Sequence, residues 1–336
     1  MNGRMRFILP FGAILFVLVL YSAYWFYAST QIRSAVEDWV ADQEAAGYVI
    51  EREALTVSGF PYRFQITFRE PRITAPRSDG GWHAELSSLQ AHAVPYDLSH
   101  WIVRFGGPAF LADLNAPGSR LELQASDARV SLVYDENGAT SRVGAELANL
   151  TVLTRAGDPP DIRSIGALYL NGVVSTDNTL RVRGLVENVV AAPGVLGHDV
   201  ERAFGDTLAM ARVEFTVTEW SALARNADSL AWSQAGGRLD ITDAGLQWGP
   251  ADLTAVGEFT VDRMARPDGR LSLRVTDPDT LAEALVEAGL IPEQNSEALR
   301  VAAMMAPRGP EGVSLPFRIR DGGVYLGPAR LGGLEN

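Results

Sequence analysis

The chain contains no cysteine and no lysine among its 336 residues. Without thiols there is no disulfide, no thiol nucleophile and no thiolate zinc site. An exported domain of this sequence must hold together by its core alone, and 47% hydrophobic against 21% charged residues provides one. All 29 basic residues are arginines. G- and C-rich codons account for that more simply than a need for so many guanidinium forks. The net charge is −12 and no basic stripe interrupts it, so nucleic acid is not expected as a partner.

Catalytic signatures are missing as well. His83, His92, His100 and His198 show no metal-ligand spacing. His83 and His92 fall on neighbouring expected strands, but ordinary surface or half-buried histidines are the better reading, and no metal is expected. There is no nucleophile elbow and no phosphate-binding glycine loop. Gly106-Gly107-Pro108 and Gly236-Gly237 read as turns. The carboxylate pairs Asp240 with Asp243 and Asp277 with Asp279 read as solvated strand ends and a helix cap rather than two acids across a cleft. Neither an enzymatic activity nor a cofactor is expected.

What the sequence does hold begins with an uncharged run. The 22 residues from Phe7 to Ala28 carry no charge, and at about 1.5 Å each they span about 33 Å, enough for a hydrocarbon core of roughly 30 Å. Tyr21, Tyr24, Trp25 and Tyr27 gather at its far end, where amphipathic rings favour the interface. Arg4 and Arg6 precede the run, and Arg33, Glu37 and Asp38 follow it. The expectation is a retained signal anchor in an inner membrane: residues 1–6 cytoplasmic, 7–28 spanning, 29–47 a membrane-proximal helix, and 48–336 a periplasmic β-rich body.

In that body, Tyr62, Phe64, Ile66 and Phe68 alternate strictly with Arg63, Gln65, Thr67 and Arg69, which predicts a strand with one apolar and one polar side. The same period continues towards residue 326, with expected strands at Leu121–Gln124, Arg129–Tyr134, Leu147–Leu153, Ala167–Val174, Thr179–Leu185, Arg212–Thr218, Arg238–Thr242, Gly245–Trp248, Leu253–Val261, Arg270–Thr276, Ser314–Arg320 and Val324–Leu326. Short turns between them imply antiparallel pairing. Helices are expected at His198–Met210, Glu219–Trp232 and Asp279–Met305, the last broken at Pro292. A segment from Asp243 to Leu253 (DAGLQWGPADL) echoes Asp321 to Leu331 (DGGVYLGPARL), which suggests two related halves, 48–190 and 191–336. Arg63, Arg69, Arg181, Arg183, Arg318 and Arg320 lie on polar strand faces, either solvated or meeting lipid phosphate.

The anchor, the Val57–Phe64 segment (VSGFPYRF), Trp82–Glu85, Ala93–Tyr96 and the Leu315–Pro328 segment together resemble an uncharacterised proteobacterial family, domain of unknown function 2125. The overall plan also resembles AsmA-like envelope proteins. That resemblance implies sheets curved into apolar grooves and a part in moving or organising phospholipid. The expected fold is therefore α+β and β-dominated: one transmembrane helix, then curved antiparallel sheet with a few packing helices. The expected function is non-enzymatic lipid binding or transfer in the cell envelope, with Phe64, Ile66 and Phe68 as lipid-groove candidates. The alternative is a structural or assembly protein with a closed core that docks another envelope protein.

Overall fold

The computed structural model describes residues 3–53, 55–116, 118–309, 312–326 and 329–333. An N-terminal apolar helix leads into antiparallel sheet with a few helices, so the fold is β-dominated α+β as expected. Two compact units emerge: Met1–Leu123 with Thr154–Gly157, and Gln124–Leu153 with Asp158–Asn336. They follow spatial contacts, whereas the halves 48–190 and 191–336 rest on the sequence echo alone.

The first unit starts with α1, Gly3–Ala45. The apolar run and the expected membrane-proximal helix are one element, because nothing between Ala28 and Ala45 breaks a helix: no proline, no glycine. The helix is about 64 Å long at 1.5 Å per residue and stops at Gly47, which takes φ 97. There the Gly47 amide donates to the Glu44 carbonyl and the Tyr48 amide to the Gln43 carbonyl, a pairing that satisfies the last carbonyls of a helix when a left-handed residue ends it.

Seven strands follow: β1 (Val49–Glu51), β2 (Thr56–Ser58), β3 (Phe64–Arg69), β4 (Arg72–Thr74), β5 (Trp82–Val94), β6 (Asp97–Asp113) and β7 (Arg120–Gln124). β3 begins at Phe64, so Tyr62 falls in the preceding turn and not on the apolar face. From Phe64 on the predicted alternation holds, and β3 pairs antiparallel with β2 and β5, with Phe64 opposite Ala93, Ile66 opposite Ala91 and Phe68 opposite Leu89. Two neighbouring strands were expected at His83 and His92; they are a single strand, β5, in a long hairpin with β6. Its Gly106-Gly107-Pro108 segment is a bulge inside β6, not a turn: pairing jumps from Ser88–Gly106 to Leu86–Ala109. Gly107 takes φ 70 there, and a Cβ on it would lie 2.7 Å from the Ser87 side chain.

The second unit holds β8 (Asp127–Tyr134), β9 (Thr140–Ala156), β10 (Ile162–Val174), β11 (Leu180–Ala191), β12 (Thr207–Val217), β13 (Leu239–Trp248), β14 (Ala251–Val261), β15 (Pro267–Val275), β16 (Arg308–Gly309), β17 (Gly312–Arg320), β18 (Gly323–Leu326) and β19 (Ala329–Gly333). From β8 to β15 each strand pairs antiparallel with the next, and β17 adds to β15. Arg238–Thr242 and Gly245–Trp248 merge into β13, bulged between Ile241 and Ala244. Asp240 and Asp243 therefore sit within a strand, not at strand ends. The echo is partial in structure: Asp243 lies in β13, Asp321 takes a left-handed turn conformation at φ 52, and residues 327 and 328 of the second copy lie outside the described residues.

Helices connect these strands. The expected helix at His198–Met210 is shorter: α2 (His198–Phe204) ends at Gly205, and β12 starts at Thr207. Glu219–Trp232 is two helices, α3 (Trp220–Asn226) and α4 (Ser229–Gln234), because Ala227 turns left-handed at φ 52 and ends the first, and Asp228 caps the second, accepting from the Leu230 and Ala231 amides. α5 (Pro278–Glu287) begins at the expected Asp277 cap and Pro278, and α6 (Glu293–Met305) begins after Pro292. The core of this unit forms where α5 and α6 cover β15 and β17: Val275, Leu281, Ala284, Ala303, Val313 and Leu315 are buried together. Each full burial of a Val or Leu side chain contributes about 1.5–3 kcal/mol.

Candidate functional site

Two places concentrate unusual chemistry, one in each unit. In the first, α1 is clamped to the sheet at the level where its uncharged run ends. Trp25 stacks on Phe64 at 5.1 Å between centroids and 16° between planes. Its Nε1–H donates to the Arg63 carbonyl at 3.3 Å. Ala28, Ile32 and Val57 complete a small apolar cluster around this pair. Phe60 adds a ring edge-on to Trp25 and stacked on Phe26. One turn before Trp25 the Tyr21 hydroxyl donates to the Pro61 carbonyl, and next to Trp25 the Tyr24 hydroxyl donates to the Pro95 carbonyl at 2.8 Å.

The local sequence builds this clamp. Gly59 takes φ 104, and its carbonyl accepts from the amides of Tyr62 and Arg63. A Cβ there would sit 2.7 Å from the Arg63 carbonyl oxygen, the same oxygen that receives the Trp25 indole. Only glycine closes this turn tightly enough to present that oxygen to the helix. Thus the Gly59–Phe64 segment is the socket for α1.

This geometry locates the three lipid-groove candidates. Phe64 is 0% exposed and lies under Trp25; Ile66 is buried next to it on the same face. Phe68 is half-buried, with the Arg52 guanidinium 5.8 Å from its ring centroid. Phe64 is thus occupied by a protein partner.

The second place is an apolar sheet face in the other unit. Antiparallel register puts directly opposite residues on one face, and three apolar rows cross the strands. One runs Ala128, Leu147, Leu168, Val186, Ala211, Leu246, Leu253, Val275 and Val313; the next runs Val130, Ala145, Leu170, Gly184, Val213, Ala244, Ala255, Leu273 and Leu315; the third includes Leu132, Val143, Val182, Phe215, Ile241 and Leu271. The β15–β17 end is buried beneath α5 and α6. Over β10, β11 and β12 the same rows are not buried: Leu168, Val186 and Val213 are half-buried and Leu170 is 45% exposed. These residues, with Ala211 and Gly184, line an apolar depression of about 310 Å³, at the small end of the range for ligand pockets. Sequence reasoning recognised the strands but not this site, since only register shows that β10, β11 and β12 present their apolar sides together.

The opposite face of this unit is charged and largely self-neutralised. Cross-strand pairs join Arg129 to Glu146, Arg183 to Glu214 at 2.9 Å, Arg212 to Asp243 at 2.6 Å and Arg270 to Glu258 at 3.4 Å. Arg318 and Arg320 line a polar depression with Arg238 and Arg270, but Glu258 and Asp268 share it. Such exposed pairs contribute little to stability.

The histidines are dispersed. His83 and His92 lie on one strand, β5, not on neighbours; nine residues of strand separate them by about 30 Å, too far for one metal ion. The His83 ring nitrogen Nδ1 lies 2.7 Å from the Thr74 hydroxyl. His92 Nδ1 is buried without a hydrogen-bond partner. Burial, with Arg63 and Arg104 nearby, holds the His92 imidazole below its ordinary range. Asp277 is lowered by hydrogen bonds from the Thr280 hydroxyl and amide, as a helix cap should be. Among the described residues no three metal-ligating side chains come together.

α1 is the one described helix long and apolar enough to cross a membrane. No curated protein and no solved structure matches the chain. A family model described as an uncharacterized protein conserved in bacteria, DUF2125, matches residues 25–335, from the clamping tryptophan to the last strand, and the chain belongs to that family.

Proposed function

We propose that this is a single-pass membrane protein that binds lipid acyl chains on the open apolar face of its second unit, without catalysing a reaction. The observation that carries the reading is the Leu168–Leu170–Val186–Val213 depression, an apolar surface left uncovered where the same sheet is sealed by helices farther along. Contiguous exposed apolar surface of this kind marks an interaction site. Arg4 and Arg6 ahead of the span, with acidic residues soon after it, support a cytoplasmic N-terminus and a periplasmic body in the inner membrane. The depression, not Phe64 or Ile66, is the place where a chain would lie.

The test compares phospholipid recovered by mass spectrometry from the detergent-purified full chain and from Leu170→Asp and Val213→Asp. Anchor-bound lipid is common to all three, so the difference isolates the sheet. The expected result is one phospholipid per protein lost in both variants with the melting profile kept. Equal lipid in all three, or a lipid-free chain that copurifies with one protein partner, would favour the assembly role instead.

A further inference from the structure

Phe60, Tyr62 and Tyr96 are large rings at the tips of turns, a place where polar residues normally sit. Tyr62 is 84% exposed and Tyr96 88% exposed, and Phe60 is exposed as well. The two turns that carry them are tied to α1 through the Pro61 and Pro95 carbonyls, which accept from Tyr21 and Tyr24. We propose that these two turns, residues 59–62 and 95–97, form a collar that sits in the lipid–water interface around the emerging helix, with Phe60, Tyr62 and Tyr96 among the headgroups.

The level follows from helix geometry. Residues 21–28 are the last two turns of the uncharged run, about 10 Å of helix axis. A run of about 33 Å crossing a core of roughly 30 Å brings these turns to its outer boundary. Whatever is hydrogen-bonded to Tyr21 and Tyr24 lies at that boundary too. Amphipathic rings are favoured there.

The chemistry of the turns agrees. No acidic residue occurs from Gly59 to Phe64 or from Val94 to Tyr96. The first carboxylate, Asp97, is turned onto the Ser99 hydroxyl and amide, at 2.6 and 3.1 Å. The carbonyls of Pro61 and Pro95 already have donors, so neither loses a water on entering a drier region. Arg63, exposed beside Tyr62, offers a guanidinium that suits lipid phosphate.

The occupant proposed is the bilayer that holds the anchor, so the inference rests on the anchor reading but not on lipid binding by the second unit. The molecule supplies its own ruler. At the other end of α1, Gly47 lies against Pro76, about 35 Å along the axis from Tyr24 at 1.5 Å per residue. The absence of native cysteine makes single-site labelling clean. Tyr62→Cys, Tyr96→Cys, Val19→Cys and Arg77→Cys, each with a small fluorophore, are reconstituted as full chains into phosphatidylethanolamine–phosphatidylglycerol vesicles that carry headgroup or mid-chain nitroxide lipids. All four positions are exposed, so the labels leave the fold intact. Headgroup nitroxides are expected to quench the labels at 62 and 96 several-fold more than the label at 77. If position 19 is quenched by mid-chain nitroxide while 62 and 96 match 77, the collar is wrong and the anchor stands. If position 19 is not quenched either, the anchor reading falls and takes the collar with it.

Discussion

Replacing Trp25 with alanine should release the Gly59–Phe64 turn from α1 and leave the second unit untouched. Trp25 is 4% exposed, stacked on Phe64 and hydrogen-bonded to the Arg63 carbonyl. Truncating a buried tryptophan costs about 3–5 kcal/mol, a figure that already includes the stacking and the lost hydrogen bond. The lower end applies, because the Phe60 and Phe26 rings already pack on Trp25 and can settle into part of the space. About 3 kcal/mol is roughly a hundredfold in the local opening equilibrium. Hydrogen exchange on the full chain reads it directly: the Tyr62 and Arg63 amides, which donate to Gly59 at 3.1 Å, should exchange about a hundredfold faster, while β11 and β12 keep their protection. Phe64→Ala should give the same local pattern, and the double variant should fall short of the sum, because one contact cannot be lost twice. Unchanged exchange at Tyr62 and Arg63 would show that the helix is not clamped there. A uniform rise through β10–β15 would show that the two units do not open separately.

Three further outcomes follow from the same structure. Leu315→Ala, at a residue 1% exposed beneath α5 and α6, should cost about 2–5 kcal/mol in denaturant unfolding of the second unit, whereas Leu170→Ala on the open face should cost about 0.5 kcal/mol or less; equal costs would mean the face is covered. His92 is held below its ordinary pKa of 6.5, so the unfolded chain binds the extra proton: its contribution is complete above 6.5 and is lost as pH falls through that value towards the folded one, and His92→Gln should flatten the stability-against-pH curve in this window. Asp277→Ala should destabilise α5 by about 1 kcal/mol in thermal unfolding at neutral pH; because the Asp277 carboxyl is lowered, this penalty should be present above pH 3.8, the ordinary value, and shrink as pH falls through the lower folded one.

Much of the architecture was legible where one period dominated. β3 was readable because its apolar and polar residues alternate without exception, and α5 because Asp277 and Pro278 announce its start. The errors have local causes. β5 was divided into two strands, one at His83 and one at His92, and β6 was given no strand, because the bulges at Ser87-Ser88 and Gly106-Gly107-Pro108 shift the alternation by one residue in mid-strand. α2 was extended into β12 because Leu208 fits a helical spacing from Val200 and Phe204, although Gly205 has already ended the helix. The division of α1 at Ala28 reflected a change of composition, from an uncharged run to a charged one, not of backbone. The candidate sites were less legible than the fold. That Trp25 needs Phe64 is a contact across 39 residues of sequence, and that Leu170 shares a face with Val213 needs the register of three strands. One-sided strands identify apolar faces; they do not say which stretch of a face a helix will cover.

The unbroken helix from Gly3 to Ala45 has a mechanical consequence. A flexible tether would let the first unit swivel freely, whereas a continuous helix gripped at Tyr21, Tyr24, Trp25 and again near Val40 is, in the membrane placement proposed above, a lever with its fulcrum at the bilayer surface. Tilt of the buried arm, such as a thinner bilayer imposes on a long apolar segment, swings the outer arm and the strands fastened to it through the same angle. In that placement the orientation of the first unit would follow bilayer thickness, transmitted through some 64 Å of backbone at about 1.5 Å per residue.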